Sequence, residues 1–500
     1  MKWVCLENAP WLDEEALTCF ISERARSALY SACWAELYPE LRNLSSGREH
    51  SADPTPAVEK RWLAARALLY GAGYEKYLSP REAIKTACAN ALKTARSLKL
   101  RKVRLILDGE YGDAPALIRD LARAAGIAAW SFGKYRAKKD DAWETLELQF
   151  VLRAGQTAQA EVIIREAFDL AASVNLAREL INEPGNMLPP PELALRSAAA
   201  AEDRGLSCEI LDQAALAAGG YAGILAVGQG SVHEPRMVVI RYRPDGLHKD
   251  ARHIALVGKG VTFDTGGVSL KTAKDMHIMK DDMSGAAVAL ACVHALANLK
   301  PNCAVTAILV CAENHFAGSA QRPGDIFRHK SGKYIQVDNT DAEGRLCLID
   351  GLYRAGEEGA DTIIDLATLT GACQRALGNS LAGVFGNDAL IEELRRAGHE
   401  AGEELWPFPL VEEYAKQLET PHADFCNVGG AYAGHIVAAL FLRNFVPERA
   451  RWAHIDLCPA YFEHGWKYYA PGGTAFGVQL LVDWIAAQAV AQAAAQAEQA

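Results

Sequence analysis

The chain has 500 residues, half of them apolar and 23% charged, with a formal net charge of -10. That length exceeds one ordinary core, so two domains are the starting expectation, and the composition excludes a disordered chain. An acidic balance without a long basic run also argues against a nucleic-acid surface as the main function.

The opening segment meets Glu7 too early to supply the apolar core of a signal peptide. No stretch approaches the roughly 18 uninterrupted apolar residues that cross a bilayer, so the chain reads as soluble and cytoplasmic, with no membrane partner. In chain order, residues 102–109 read as a buried strand ending in a turn, 114–125 as an amphipathic helix and 145–152 as another strand. Residues 1–155 therefore form a smaller N-terminal α/β domain with its own sheet. Residues 156–182 follow as a linking helix, stopped at Glu183-Pro184-Gly185.

From 183 to 490 strands and helices alternate again. Strands are expected at 237–242, 253–257, 304–311, 362–367 and 452–457, and helices at 284–299 and 346–355. That order predicts a C-terminal α/β/α domain with a mainly parallel sheet. In such a sheet ligands gather at the carboxyl ends of strands. Polar clusters follow the strands here: Gly258-Lys259-Gly260, Glu313-Asn314 and Thr368-Leu369-Thr370-Gly371. Residues 491–500 form an Ala/Gln-rich tail that extends a helix or frays.

Three clusters carry chemistry. The first runs from Val257 to Gly267, where a strand enters a glycine-rich turn holding Lys259 and Asp264. Its order does not match a phosphate loop, and its glycines would let the backbone approach an ion or substrate closely. The second, Lys280-Asp281-Asp282-Met283-Ser284, opens a helix, and Asp282 could simply cap it. The third is Asn339-Thr340-Asp341-Ala342-Glu343-Gly344-Arg345, where Thr340 and Glu343 fit a capping box. Capping leaves Asp341 and Arg345 unexplained. Together the clusters offer four carboxylates, Asp264, Asp282, Asp341 and Glu343, which repel one another unless cations neutralise them. Two divalent ions would do so, and paired ions can activate a water and polarise a carbonyl at once. His277, His294, His315 and His329 lie between the clusters, not in them.

These blocks, with Ala367 to Ala372, resemble the leucine aminopeptidase family, the hexameric two-zinc exopeptidases. Weaker echoes lie at Asn182-Glu183-Pro184, at Val227 to Ser231 and at Arg322 to Asp325, and the likeness covers residues 160–485. The resemblance implies that Lys259, Asp264, Asp282 and Glu343 hold one ion. Asp264, Asp341 with its backbone carbonyl, and Glu343 would hold a more exchangeable one. Zinc is implied, with manganese or magnesium feasible in the looser position. It further implies that Lys271 polarises the scissile carbonyl, that Arg345 anchors a bicarbonate serving as base, and that the Leu369 backbone helps hold it. Met279, Thr368 and Gly371 would line an apolar side-chain pocket. The expected substrates are peptides with a free amino terminus and an apolar first residue, cleaved by a homohexamer.

The chain departs from the family pattern at Ser284, where a glycine is common, and at His315-Phe316 and His435, which read as core or surface residues. Two rival classes remain. A non-catalytic or DNA-binding protein on the same fold is disfavoured by the complete ligand set and the acidic balance. A two-metal phosphoesterase would not require Arg345. The twelve cysteines form no Cys-x-x-Cys pair, and Cys292, Cys303, Cys311, Cys347 and Cys458 sit in or beside apolar runs. They read as reduced, buried thiols, and zinc held by cysteine is disfavoured.

Overall fold

The computed structural model describes residues 1–6, 16–21, 79–107, 114–137, 143, 146–152, 155–248 and 251–499. The chain divides into two compact units, Met1–Ala172 with His464–Pro471, and Ser173–Glu463 with Gly472–Ala500. The division falls inside the helix Thr157–Asn182.

The first unit is built on β1 (Lys2–Leu6), β2 (Ala16–Ile21), β3 (Lys102–Leu107) and β4 (Glu147–Val151), in the order β1-β4-β3-β2. All three pairings are parallel. Val103, Leu105, Leu148 and Phe150 point into a core shared with the helices Pro80–Ser97 and Ala114–Ala128. The first of these helices starts where the Ser79 hydroxyl accepts the Glu82 amide at 3.3 Å, with Pro80 opening the first turn, a position proline tolerates well. The expected turn at 108–109 lies outside the described residues.

In the second unit the described strands are β5 (Ser207–Leu211), β6 (Arg236–Tyr242), β7 (His253–Asp264), β8 (Ala304–Asn314), β9 (Ile326–Arg328), β10 (Tyr334–Gln336), β11 (Thr362–Ala367), β12 (Ala382–Gly386), β13 (Leu405–Pro407), β14 (Phe425–Cys426), β15 (Arg451–Asp456), β16 (Tyr461–Phe462) and β17 (Gly472–Gly473). Eight of them make one sheet, ordered β13-β12-β15-β11-β7-β8-β6-β5. Its centre, β15-β11-β7-β8, is parallel, while β12, β6 and β5 join antiparallel. The mainly parallel α/β/α arrangement expected from the alternation is therefore the one observed. Val257, Ile308, Val310 and Ile363 bury one face under Leu346, Ile349 and Leu352 of the helix Gly344–Glu357. The helix Ser284–Leu299 packs on β7 and is buried at every residue from Ser284 to Leu296. Extended back to Met276, it is long and apolar enough to cross a bilayer, yet 83% of its most apolar window lies inside the protein.

One local expectation is corrected. The glycine-rich segment after Val257 is not a turn: β7 continues through Gly258, Lys259 and Gly260 to Asp264. A Cβ on Gly258 would lie 2.4 Å from the Gly285 carbonyl oxygen. The glycine thus admits the backbone of a core helix, not an ion, and the turn comes later, at Gly266-Gly267. The tail is also settled, since the helix Val478–Gln499 runs through it.

Candidate active site

The polar residues gather at the carboxyl side of the parallel strands, β11 and β15 stopping level with Gly258-Lys259 while β7 and β8 run on to Asp264 and Asn314. Asp264 closes β7 and Asn314 closes β8. Between Val261 and Asp264 the β7–β8 register slips, a bulge of the kind that re-aims side chains beside functional sites. The Asn314 amide then donates to Asp264 Oδ1 at 2.7 Å and to the Thr340 carbonyl at 3.0 Å. Asn314 thereby ties the first cluster to the third.

Lys259 projects from the middle of β7 into the second and third clusters. Its ammonium lies 2.7 Å from Asp282 Oδ1, 2.8 Å from Glu343 Oε1, and donates to the Thr368 carbonyl at 3.0 Å. The Thr368 hydroxyl donates to the same Asp282 oxygen at 2.7 Å. Gly344 makes room for this lysine, because a Cβ there would meet Lys259 Cε at 2.6 Å. Lys271 pairs with Asp264 Oδ2 at 2.7 Å and with Asp341. One ligating oxygen each from Asp264, Asp282 and Glu343 fall within 4.8 Å of one another, and all three residues are buried.

Neither capping account survives this geometry. The helix Ser284–Leu299 is preceded by Met283 at its N-cap, without a side-chain capping bond. Glu343 occupies the N-cap of Gly344–Glu357, again without such a bond, and the Thr340 hydroxyl instead donates to the Gly266 carbonyl at 2.6 Å. The Ser284 hydroxyl goes to the Asp281 carbonyl at 2.5 Å, so it supplies nothing to Asp282.

Charge is unbalanced here. Burial pushes Asp264 up to about 7, with Glu343 adding to the rise and the two lysines opposing it. Burial also raises Asp282 well above the ordinary carboxylate range, and raises Asp341 despite Lys271. Glu343 moves the other way: burial opposes ionisation, but Lys259 and Lys271 outweigh it. At both lysines burial works against the charge and the surrounding carboxylates more than restore it. Asp282 Oδ2 and Glu343 Oε2 are buried with no hydrogen-bond partner. A buried carboxylate oxygen left so is costly, and oxygens gathered this closely fit divalent cations.

Arg345 stands apart from the carboxylates. Its Nη1 donates to the Asn427 carbonyl at 2.9 Å, and its Nε is buried without a partner. Burial lowers this guanidinium to about 10, with Glu343 and Asp456 resisting. Met279 lies in the 3-10 turn Met276–Asp281 that delivers Asp282, while Thr368, Leu369 and Gly371 follow β11. None of the four histidines between the clusters joins them. His294 bonds Ser173, His329 pairs with Asp350, His315 stacks on Phe316 and His277 faces Glu463. His435 is half-buried with its ring packed edge-on to Phe408 at 4.5 Å.

Sequence reasoning missed three supporting residues. The Asn427 side chain receives the amides of Asp338 and Asn339 and donates to the carbonyls of Asn339 and Ala342, fixing the loop that carries Asp341. Asp456, at the end of β15, accepts the Leu369 and Thr370 amides at 3.0 and 3.2 Å and the Thr370 hydroxyl at 2.6 Å. Asn314 is legible in the sequence only as a polar residue after a strand. Position at the carboxyl end of a parallel strand is a usable signal for Asn314 and Asp456; Asn427 has none.

Residues 175–482 match the cytosol aminopeptidase family, catalytic domain. A probable cytosol aminopeptidase of Geobacter sulfurreducens is 39% identical over 430 residues, covering 85% of this chain and 86% of the relative. One from Desulfovibrio desulfuricans is 37% identical and covers 95% of both chains. Among solved structures, the bottromycin maturation enzyme BotP in complex with Mn superposes with a TM-score of 0.78 at 29% identity, covering 95% of this chain and 100% of that one.

Proposed function

The chain belongs to the cytosol aminopeptidase family, and from that premise we propose that it is a two-metal aminopeptidase removing leucine or another apolar first residue from peptides. The observation that carries the reading is the buried carboxylate group, with Asp282 Oδ2 and Glu343 Oε2 lacking any hydrogen-bond partner. The residues fit divalent ions. Lys259, Asp264, Asp282 and Glu343 would hold one, and Asp264, Asp341 and Glu343 the other. The manganese named with BotP supports a divalent occupant, and zinc is proposed as the tighter of the two. Bound there, the ions would supply an activated water and a Lewis-acid contact to the scissile carbonyl.

The chain's own residues do the rest. Lys259 and Lys271 now neutralise the carboxylates. Were cations bound, Lys271 would be free to donate to the carbonyl oxygen and stabilise the developing oxyanion, and a deprotonated Lys259 would be available as a nitrogen donor. Arg345, held by Asn427 and with a buried Nε to spare, would orient a bicarbonate that accepts a proton. The Leu369 amide is engaged by Asp456, so its carbonyl is the backbone group left for that neighbourhood. Met279, Thr368 and Gly371 would wall the side-chain pocket. A free substrate amine would complete one ion's coordination, limiting cleavage to the first residue. The first domain, residues 1–155 with the linking helix 156–182, is proposed to serve assembly, a homohexamer, and the setting is the cytoplasm.

A panel of aminoacyl substrates tested with zinc, manganese and magnesium checks this reading. Leucyl peptides should be cleaved only with metal present, and N-acetylated ones not at all. Efficient cleavage of the acetylated peptide, or full turnover after verified metal removal, would overturn it.

A further inference from the structure

Outside the carboxylate centre, the described residues contain a second group of ligating side chains. Cys373 lies on the helix Gly371–Leu377, and Asp456 and Cys458 lie at and just beyond the end of β15. All three are buried, and their ligand atoms fall within 4.8 Å of one another. The sulfur atoms of Cys373 and Cys458 lie side by side. Cys458 also reaches the Asp456 carbonyl at 3.7 Å. We propose that Cys373, Cys458 and Asp456 form a separate, thiolate-rich site for one thiophilic divalent cation of the zinc and cadmium class.

Distances favour it. A tetrahedral ion about 2.3 Å from sulfur and about 2.0–2.2 Å from a carboxylate oxygen sets its ligand atoms roughly 3.5–3.8 Å apart. From separations within 4.8 Å, the group needs to contract by about 1.3 Å at most. Asp456 has capacity as well. A carboxylate offers about four acceptor positions, and the loop fills three, with the Leu369 amide, the Thr370 amide and the Thr370 hydroxyl. The remaining position is open to a cation.

The surroundings decide between an ion and a redox pair. The neighbouring Cys458 thiol, burial and the negative charge of Asp456 all push the Cys373 thiol up, and a thiol so held is a poor nucleophile toward oxidants. The same negative charge in a buried setting attracts a cation. One wall is closed by Gly383, whose Cβ position lies 2.5 Å from Cys373 Sγ, and by Phe408 behind it. Binding balances simply: each thiol yields its proton to solvent as its sulfur takes up the ion, so two protons leave per ion bound. With three protein ligands, water takes the fourth position.

The test uses the full chain, loaded with manganese and kept reduced by a phosphine, titrated with cadmium chloride. A thiolate-to-cadmium ultraviolet absorption should grow to a plateau at one ion per chain, with two protons released per ion near neutral pH. Cys458→Ala and, separately, Cys373→Ser should lose that absorption and that ion. Cys303→Ala, which removes a buried thiol outside the group, should keep both. Manganese-supported turnover and melting temperature report that each variant is folded. No absorption in the unmodified chain, or an absorption that persists in both ligand variants, overturns the proposal, as does any disulfide found in place of bound ion.

Discussion

Two clusters of lysine and carboxylate, one in each unit, place the same residue types in different electrostatic settings. In the first unit Glu82 sits between Lys85 and Lys467, each 2.9 Å away. The two cations hold the carboxyl below its ordinary value although burial opposes them. In the second unit the same residue types meet in the opposite ratio, with Lys259 and Lys271 facing Asp264, Asp282, Asp341 and Glu343. There, three of the four carboxyls are raised. A carboxylate flanked by two cations stays ionised although buried. Anions in excess, in a buried setting, make a demand for further positive charge.

The strongest way to break the comparison is to remove an anion from each side. Glu343→Ala takes an oxygen from both proposed ions, so metal content and turnover should collapse together, as read by elemental analysis and a leucyl-substrate assay. Full occupancy with normal turnover would reduce Glu343 to a structural partner of Lys259. Glu82→Gln should instead leave metal content intact and cost roughly 1–3 kcal/mol of first-unit stability, since the buried Lys85 ammonium and the partly buried Lys467 lose a charged partner. Chemical denaturation measures that loss.

Cations differ in the same way. Lys271→Ala should keep both metals yet lose about 10²–10³ in turnover, roughly 3–4 kcal/mol, the usual consequence of deleting one oxyanion donor. If metal content falls in step with turnover, Lys271 serves only to balance charge. Asn314→Ala removes the amide that orients Asp264 and should weaken metal binding about 10–100-fold, measurable by competition with a chromogenic chelator.

The smallest effect concerns pH, and its sign differs between the clusters. Glu82 has a lowered value, so its stabilisation is present above the ordinary 4.5 and is lost as pH falls through the folded value. Asp264, in metal-free protein, is raised from 3.8 to about 7. Its contribution is fully present below 3.8 and is lost as pH rises through about 7. Melting curves of metal-free protein between about pH 4 and pH 7 should therefore show a loss of stability that metal loading abolishes. A metal-free protein equally stable across that window would show the anions of the second unit to be fully compensated by Lys259 and Lys271.

By itself the sequence determined the elements and the inventory of the site. The helix at 284–299 and the strand at 362–367 match the observed bounds, because apolar runs and their punctuation are local information. The charged residues of the three clusters are legible as bunched runs in the chain, although Lys259 sits in the middle of β7 and not at its end. Tertiary structure alone decided what each of them faces. Asp282 and Glu343 could be caps on spacing alone, and only the structure shows both facing Lys259 with no capping bond at either helix start. Gly258 reads as a turn because sequence does not reveal the helix backbone pressed against it. Asp456 reaches the loop after β11 because β15 pairs beside β11. Cys373 meets Cys458 through the same end of the sheet. Such contacts depend on strand order and on where strands stop, and neither leaves a periodic trace in the chain.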